Sequence, residues 1–173
     1  MTKQFLGAIA VASITATFGF AGVAGATAGE RTFQQTYPRA SQLCTNLVAG
    51  GGPKRLRPYA TQVGADCTTL KSGFEVAQNA VLAAQTAFTN ALAADRAAIA
   101  AVCTPPVGNR PLCRRTRRSE HLAIGALRRE HRAAVVLYYR TIEANRRTFW
   151  AAIRTLPGGA SVPADAPIPQ QPS

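Results

Sequence analysis

From Phe74 to Val102 the chain contains neither proline nor glycine and is dominated by alanine. Alanine loses least on entering a helix, and so long a run without a breaker is far beyond the length of an ordinary strand. Phe74, Val81 and Phe88 recur every seven residues, and Asp95 and Val102 continue the row. Ala77, Ala84, Ala91 and Ala98 form a second row, and Ala80, Ala87, Ala94 and Ala101 a third. This heptad spacing is that of a helix packed along a partner, in the manner of a coiled coil. Its small side chains let the partner come close. The spacing predicts one long helix over 59–103.

A second helical pattern covers 112–156, where Ile124, Leu127, Val135, Tyr138, Ile142, Phe149, Ile153 and Leu156 follow a 3.6-residue period. Between the two patterns lies Thr104-Pro105-Pro106-Val107-Gly108-Asn109-Arg110-Pro111, a turn dense in breakers and bracketed by Cys103 and Cys113. Two helices of roughly 65 Å joined by a short connection make an antiparallel hairpin. If Cys103 faces Cys113, then Phe74 falls opposite Ile142 and Val81 opposite Val135. Phe88 then meets Leu127 and Arg128, and Asp95 meets His121.

A shorter helix is expected over 31–48. Phe33, Tyr37, Cys44, Leu47 and Val48 fall near one face, Pro38 marks a start or a kink, and Gly50-Gly51-Gly52-Pro53 ends it. It has to pack on the open end of the hairpin, near residues 67 and 149, which pairs Cys44 with Cys67. The expected class is therefore all-α: a long antiparallel helical hairpin with a short N-terminal helix on its open end, stapled by Cys44–Cys67 and Cys103–Cys113.

Residues 1–28 read as a secretory signal peptide. Lys3 gives a positive start, Phe5 to Gly25 carries no charge, and Ala26-Thr27-Ala28 is a small-x-small cleavage pattern. The run is long enough for a membrane anchor, but its four glycines make a weak span. No twin arginine is present, which points to the general route of export. An even number of cysteines behind a leader reads as disulfides. Their separations of 23, 36 and 10 residues do not give the close ligand pairs of a zinc site. The expected organisation is a signal peptide at 1–28, a helical bundle domain at 29–156, and a Pro-rich flexible or extended tail at 157–173.

The chain carries 20 Lys and Arg against 8 Asp and Glu. Such an excess suits an anionic partner. A GC-rich genome would also enrich arginine, but it would do so evenly. Here eleven Arg and three Glu lie between Arg114 and Arg154, a net of +8, while 59–103 carries a net of −1. All eleven arginines fall within an arc of about 160° at 100° per residue, and Tyr139 and Trp150 point along it. Basic residues interleaved with aromatics suit phosphate contact and stacking. The competing reading is a solvated face, with both aromatics covered by the first helix. Arg114, Arg115, Arg117 and Arg118 sit where the second long helix begins and, with Arg128, Arg129 and Arg132, form the candidate anion-binding face.

His131 and Tyr138 lie seven residues apart on the apolar stripe, an arrangement that would allow haem ligation but also suits a core-edge pair. His121 near Asp95 would give a base and its orienting acid, with no nucleophile beside them. H-E-x-x-H, the P-loop and G-x-G-x-x-G are absent, and carboxylates are few and scattered. The sequence therefore points to an exported, non-enzymatic helical protein with no cofactor or metal. Its arginine face would take a polyanion, a membrane surface or an acidic protein. Sequence-specific nucleic-acid binding is not expected. The rival readings are a structural spacer of the cell envelope, and a small-ligand or haem carrier using His131 and Tyr138.

Overall fold

The computed structural model describes residues 28–104 and 109–169. The proposed signal peptide, apart from Ala28, lies outside the described residues, as does most of the proline-rich turn. Helix α1 (Phe33–Thr36) and helix α2 (Pro38–Val48) replace the single short helix of the sequence reading. The break is at Tyr37, whose backbone sits at φ −129°, ψ 67°. A residue before proline is pushed out of the helical region by the proline ring, and Pro38 then opens α2 at its first position. A 3₁₀ turn at Arg57–Tyr59 leads into α3 (Ala60–Cys103), and α4 (Arg110–Thr155) runs back along it.

Helix α4 begins two residues before its expected start because Asn109 caps it. The Asn109 side chain accepts the Leu112 N–H at 3.1 Å, and Pro111 fits the first turn. Leu156 ends the helix in extended backbone before Pro157, and Gly158, at φ +82°, then makes the left-handed turn that a side chain would strain. A Cβ on the next residue, Gly159, would collide with the carbonyl oxygen of Ile153.

Both disulfides form as the hairpin requires. Cys44 joins Cys67 with Cα atoms 5.9 Å apart, tying α2 to α3. Cys103 joins Cys113 at 5.1 Å, closing the far tip. By loop entropy each contributes about 3 kcal/mol. Near the middle Phe88 stacks on His131, with ring centroids 5.5 Å apart and planes at 13°, a contact the sequence reading did not name. Asp95 and His121 do not pair: Asp95 Oδ1 is enclosed without a hydrogen-bond partner, and His121 is exposed.

The hairpin is two different objects along its length. At the open end a third layer covers it, and Tyr37, Leu56, Val63, Phe74, Val81, Ile142, Trp150 and Ile153 are essentially sealed from solvent. Phe33, Tyr37 and Phe74 meet edge-to-face there. Toward the tip only two helices remain, and two helices enclose side chains less completely: Ile124 is still buried, but most of the row is not. Phe88, Ala91, Ala98 and Val102 are accordingly half-buried. The row Ala80, Ala87, Ala94 and Ala101 faces solvent.

The third layer includes the tail. Pro157 and Gly158 form a turn, Gly159–Ser161 a second 3₁₀ turn, and 163–169 have no regular structure, yet the segment is docked rather than loose. Ile168 and Asp165 are buried, and Val162 and Ala164 pack against the core. The tail has no apolar period of its own. It is held by polar contacts from two helices, which no local pattern in 157–173 announces.

Candidate functional site

Arg114, Arg115, Arg117, Arg118, Arg128, Arg129 and Arg132 are all exposed on α4. None makes an ion pair with an acid among the described residues. They occupy the half of the hairpin that lacks a third layer. Their spacing places them on one side of a single helix. Because α4 begins at Arg110, Arg114 to Arg118 lie past its first turn. Their N–H groups belong to the helix ladder, so this is a field of guanidinium groups and not a helix-end anion cradle.

The arginines at the other end have a different task. Glu143 is buried and takes Arg146 in a fork, Nε to Oε2 at 2.7 Å and Nη2 to Oε1 at 2.8 Å. Arg147 Nε donates to the same Oε1 at 2.8 Å, with its side chain still 74% exposed. The N–H of Ile168 donates to Glu143 Oε2 at 3.1 Å, and Arg146 Nη1 donates to the carbonyl of Asp165 at 2.8 Å. These contacts, with the Arg146 guanidinium foremost, hold the Glu143 carboxyl well below its ordinary range, at about 2.

Asp165 completes the fastening. Its carboxylate accepts the backbone N–H groups of Arg39 (2.7 Å) and Ala40 (3.1 Å) and the indole N–H of Trp150 (3.2 Å). A tail residue thus caps the first turn of α2, which has no capping side chain of its own. Trp150 and Tyr139, which point along the arginine arc, are buried under this layer and do not form a stacking platform. Trp150 is tied to the tail through Asp165, and Tyr139 lines a cavity with Thr36 and Ile168.

His131 and Tyr138 are not brought into one cavity. His131 lies against Phe88, while Tyr138 packs edge-to-face on Tyr139 at 5.3 Å and lines a cavity of ≈ 200 Å³ that His131 does not reach. Among the described residues no group of three His, Cys, Asp or Glu is placed to hold a metal, and no helix is long and apolar enough to cross a membrane.

The exposure of the α4 arginines was legible in the sequence; the Glu143–Arg146–Asp165 fastening was not. Two signals were present: acid and base at three- and four-residue spacing in Glu143, Arg146 and Arg147, and a lone acid in an otherwise uncharged tail. Fold and site together define an all-α hairpin clamped by two disulfides, compact at one end and bare and basic toward the other. Comparison with protein-family models, with curated proteins and with solved structures gives no match.

Proposed function

We propose that this is an exported, non-enzymatic binding protein whose α4 arginines hold an anionic polymer or an acidic component of the cell envelope. The observation that carries this reading is the exposure of seven guanidinium groups on one helix without an acidic partner among the described residues. Guanidinium donors take phosphate and carboxylate through paired N–H groups and read no base pattern, so binding is broad within polyanions. The compact end keeps the hairpin folded, and the disulfide at the tip keeps the two helices from fraying where the charge lies. Two disulfides are consistent with an extracytoplasmic location. Export with removal of residues 1–28 completes the reading.

The test is chromatography of the purified protein on immobilised heparin and on DNA. Retention at low salt, lost steeply toward physiological salt as counterion release requires, supports the reading. Passage through both columns at low salt overturns it and leaves the hairpin as a spacer. Mass analysis of the exported chain, with a mature species starting at Gly29, checks the export.

A further inference from the structure

The N-terminal helices do not close fully over α3. Between α1, α2 and the start of α3 lies an open groove of ≈ 700 Å³, lined in part by the Cys44–Cys67 disulfide. Phe33, Val48 and Ala49 add apolar walls, and Val48 is left 84% exposed. Every lining residue lies after the proposed cleavage position, so the groove belongs to the exported chain.

Gly64 keeps the groove open. It lies inside α3, where glycine weakens a helix relative to alanine. Its backbone is not in the left-handed region, and a Cβ there would meet no atom within 4 Å. Neither conformation nor close packing calls for glycine at this position; a side chain would instead occupy the groove. Further along α3, Gly73 has the ordinary reason, since a Cβ there would meet Asn145 Nδ2 at 2.7 Å.

The groove has a polar end and an apolar end. Tyr37 packs on Phe74 and Cys44 bonds to Cys67, so α2 and α3 run antiparallel. Ser41, one turn before Cys44, therefore lies at the same end as Lys71, one turn after Cys67. Val48, Ala49 and Gly64 lie at the other end. Ser41 is only 8% exposed, yet its hydroxyl has no hydrogen-bond partner among the described residues, and its oxygen is not sealed from solvent. A buried hydroxyl is rarely left in that state. Lys71 is the charged residue of the lining. Its ion pair with Glu75 is long, 3.8 Å, between side chains 63% and 55% exposed, and so holds the ammonium weakly. Among the described residues no carboxylate lines the groove.

We propose that this groove binds a free single-chain amphiphile with an anionic head, a long-chain carboxylic acid. The carboxylate is taken by the Lys71 ammonium and the Ser41 hydroxyl. The alkyl chain runs past the disulfide and over Gly64 toward Val48. The volume lies within the roughly 300–1,000 Å³ of small-molecule pockets, which suits one alkyl chain rather than the two of a bilayer lipid. No α4 residue lines the groove, so the site is separate from the arginine face.

Calorimetric titration of the purified protein with dodecanoate, kept below micelle formation, tests the proposal. Dodecyltrimethylammonium and acetate are the controls for the head and the chain. Saturable one-to-one binding of dodecanoate is expected, with the cation weaker by roughly tenfold or more and acetate without measurable binding. Gly64→Leu should weaken dodecanoate by roughly tenfold or more by filling the groove. Leucine is the better helix former, so the melting temperature should hold or rise and lost affinity cannot be put down to unfolding. Ser41→Ala and Lys71→Gln should each weaken dodecanoate several-fold, and Lys71→Gln should not weaken the cation. Replacement of Arg114, Arg115, Arg117 and Arg118 by Gln should leave the affinity for dodecanoate unchanged. Absence of saturable binding, equal binding of the cation, or parental affinity in Gly64→Leu would each overturn the proposal. So would loss of binding in the α4 variant, which would put the acid on the arginine face, or binding to anionic phospholipid vesicles without binding of free dodecanoate.

Discussion

The carboxylate of Asp165 accepts the indole N–H of Trp150 at 3.2 Å, and through this bond the tail closes over the buried face of α4. The same carboxylate holds the first turn of α2, so one side chain joins the tail and α4 to a helix more than a hundred residues away in sequence.

Asp165→Ala should therefore destabilise the whole open end. It strands two helix-terminal N–H groups and a buried indole donor, a loss on the order of 2–4 kcal/mol. Asp165→Asn, which keeps one acceptor oxygen, should lose less. Urea denaturation measures both. A loss below about 0.5 kcal/mol for the alanine variant would show that the tail contributes nothing to the fold.

Glu143 makes stability depend on pH. Its carboxyl lies at about 2 in the folded chain against 4.5 ordinarily, chiefly because Arg146 binds the ionised form. A depressed carboxyl stabilises the fold fully above its ordinary value, and the contribution is lost as the pH falls from about 4.5 toward about 2. Thermal melts across that window should show a falling melting temperature. Glu143→Gln should start lower at neutral pH and show a shallower slope in the same window. Parallel slopes for the two proteins would place the acid sensitivity elsewhere.

The hairpin was legible in the sequence because its signals are local and repeated. Phe74 and Val81 are buried as the heptad row implies, and Cys103 and Cys113 set the register at the tip. Toward the middle, Phe88 also stacks on His131, because side chains on packed helices interlock with residues a turn away as well as with those opposite. The tail was not legible, since Asp165 meets its backbone partners across 125 and 126 residues. Nothing in 157–173 itself encodes a helix terminus waiting elsewhere. The helical angles of Tyr139 and Trp150 were read correctly, but what covers them could not be read from α4 alone.

Adjacent positions on α3 offer a sharp check on its orientation. Val81 is 1% exposed, whereas Ala80 faces solvent. Val81→Asp buries an unpaired charge and should cost on the order of 3 kcal/mol or more. Ala80→Asp should cost under about 1 kcal/mol, mostly through helix propensity. Denaturant melts of the pair decide the matter, and similar losses would mean that α3 is rotated from the described packing.

The arginines of α4 divide by position, and the division can be read in binding. Arg146 is committed to Glu143 and the tail, with only 12% of its side chain exposed. Arg114, Arg115, Arg117 and Arg118 have no acidic partner among the described residues. Changing those four to Gln removes four charges from one helix face without removing an ion pair, and glutamine is itself a good helix former. Far-UV circular dichroism should therefore be unchanged. Heparin affinity should fall, and the dependence of log K on log salt should flatten, because fewer counterions are released per complex. Arg147→Gln, at the compact end, should leave both the affinity and the slope near the parental values. If the quadruple variant binds as tightly as the parent, or if Arg147→Gln weakens binding as much, the exposed charge toward the tip is a solvated surface and the polyanion reading fails.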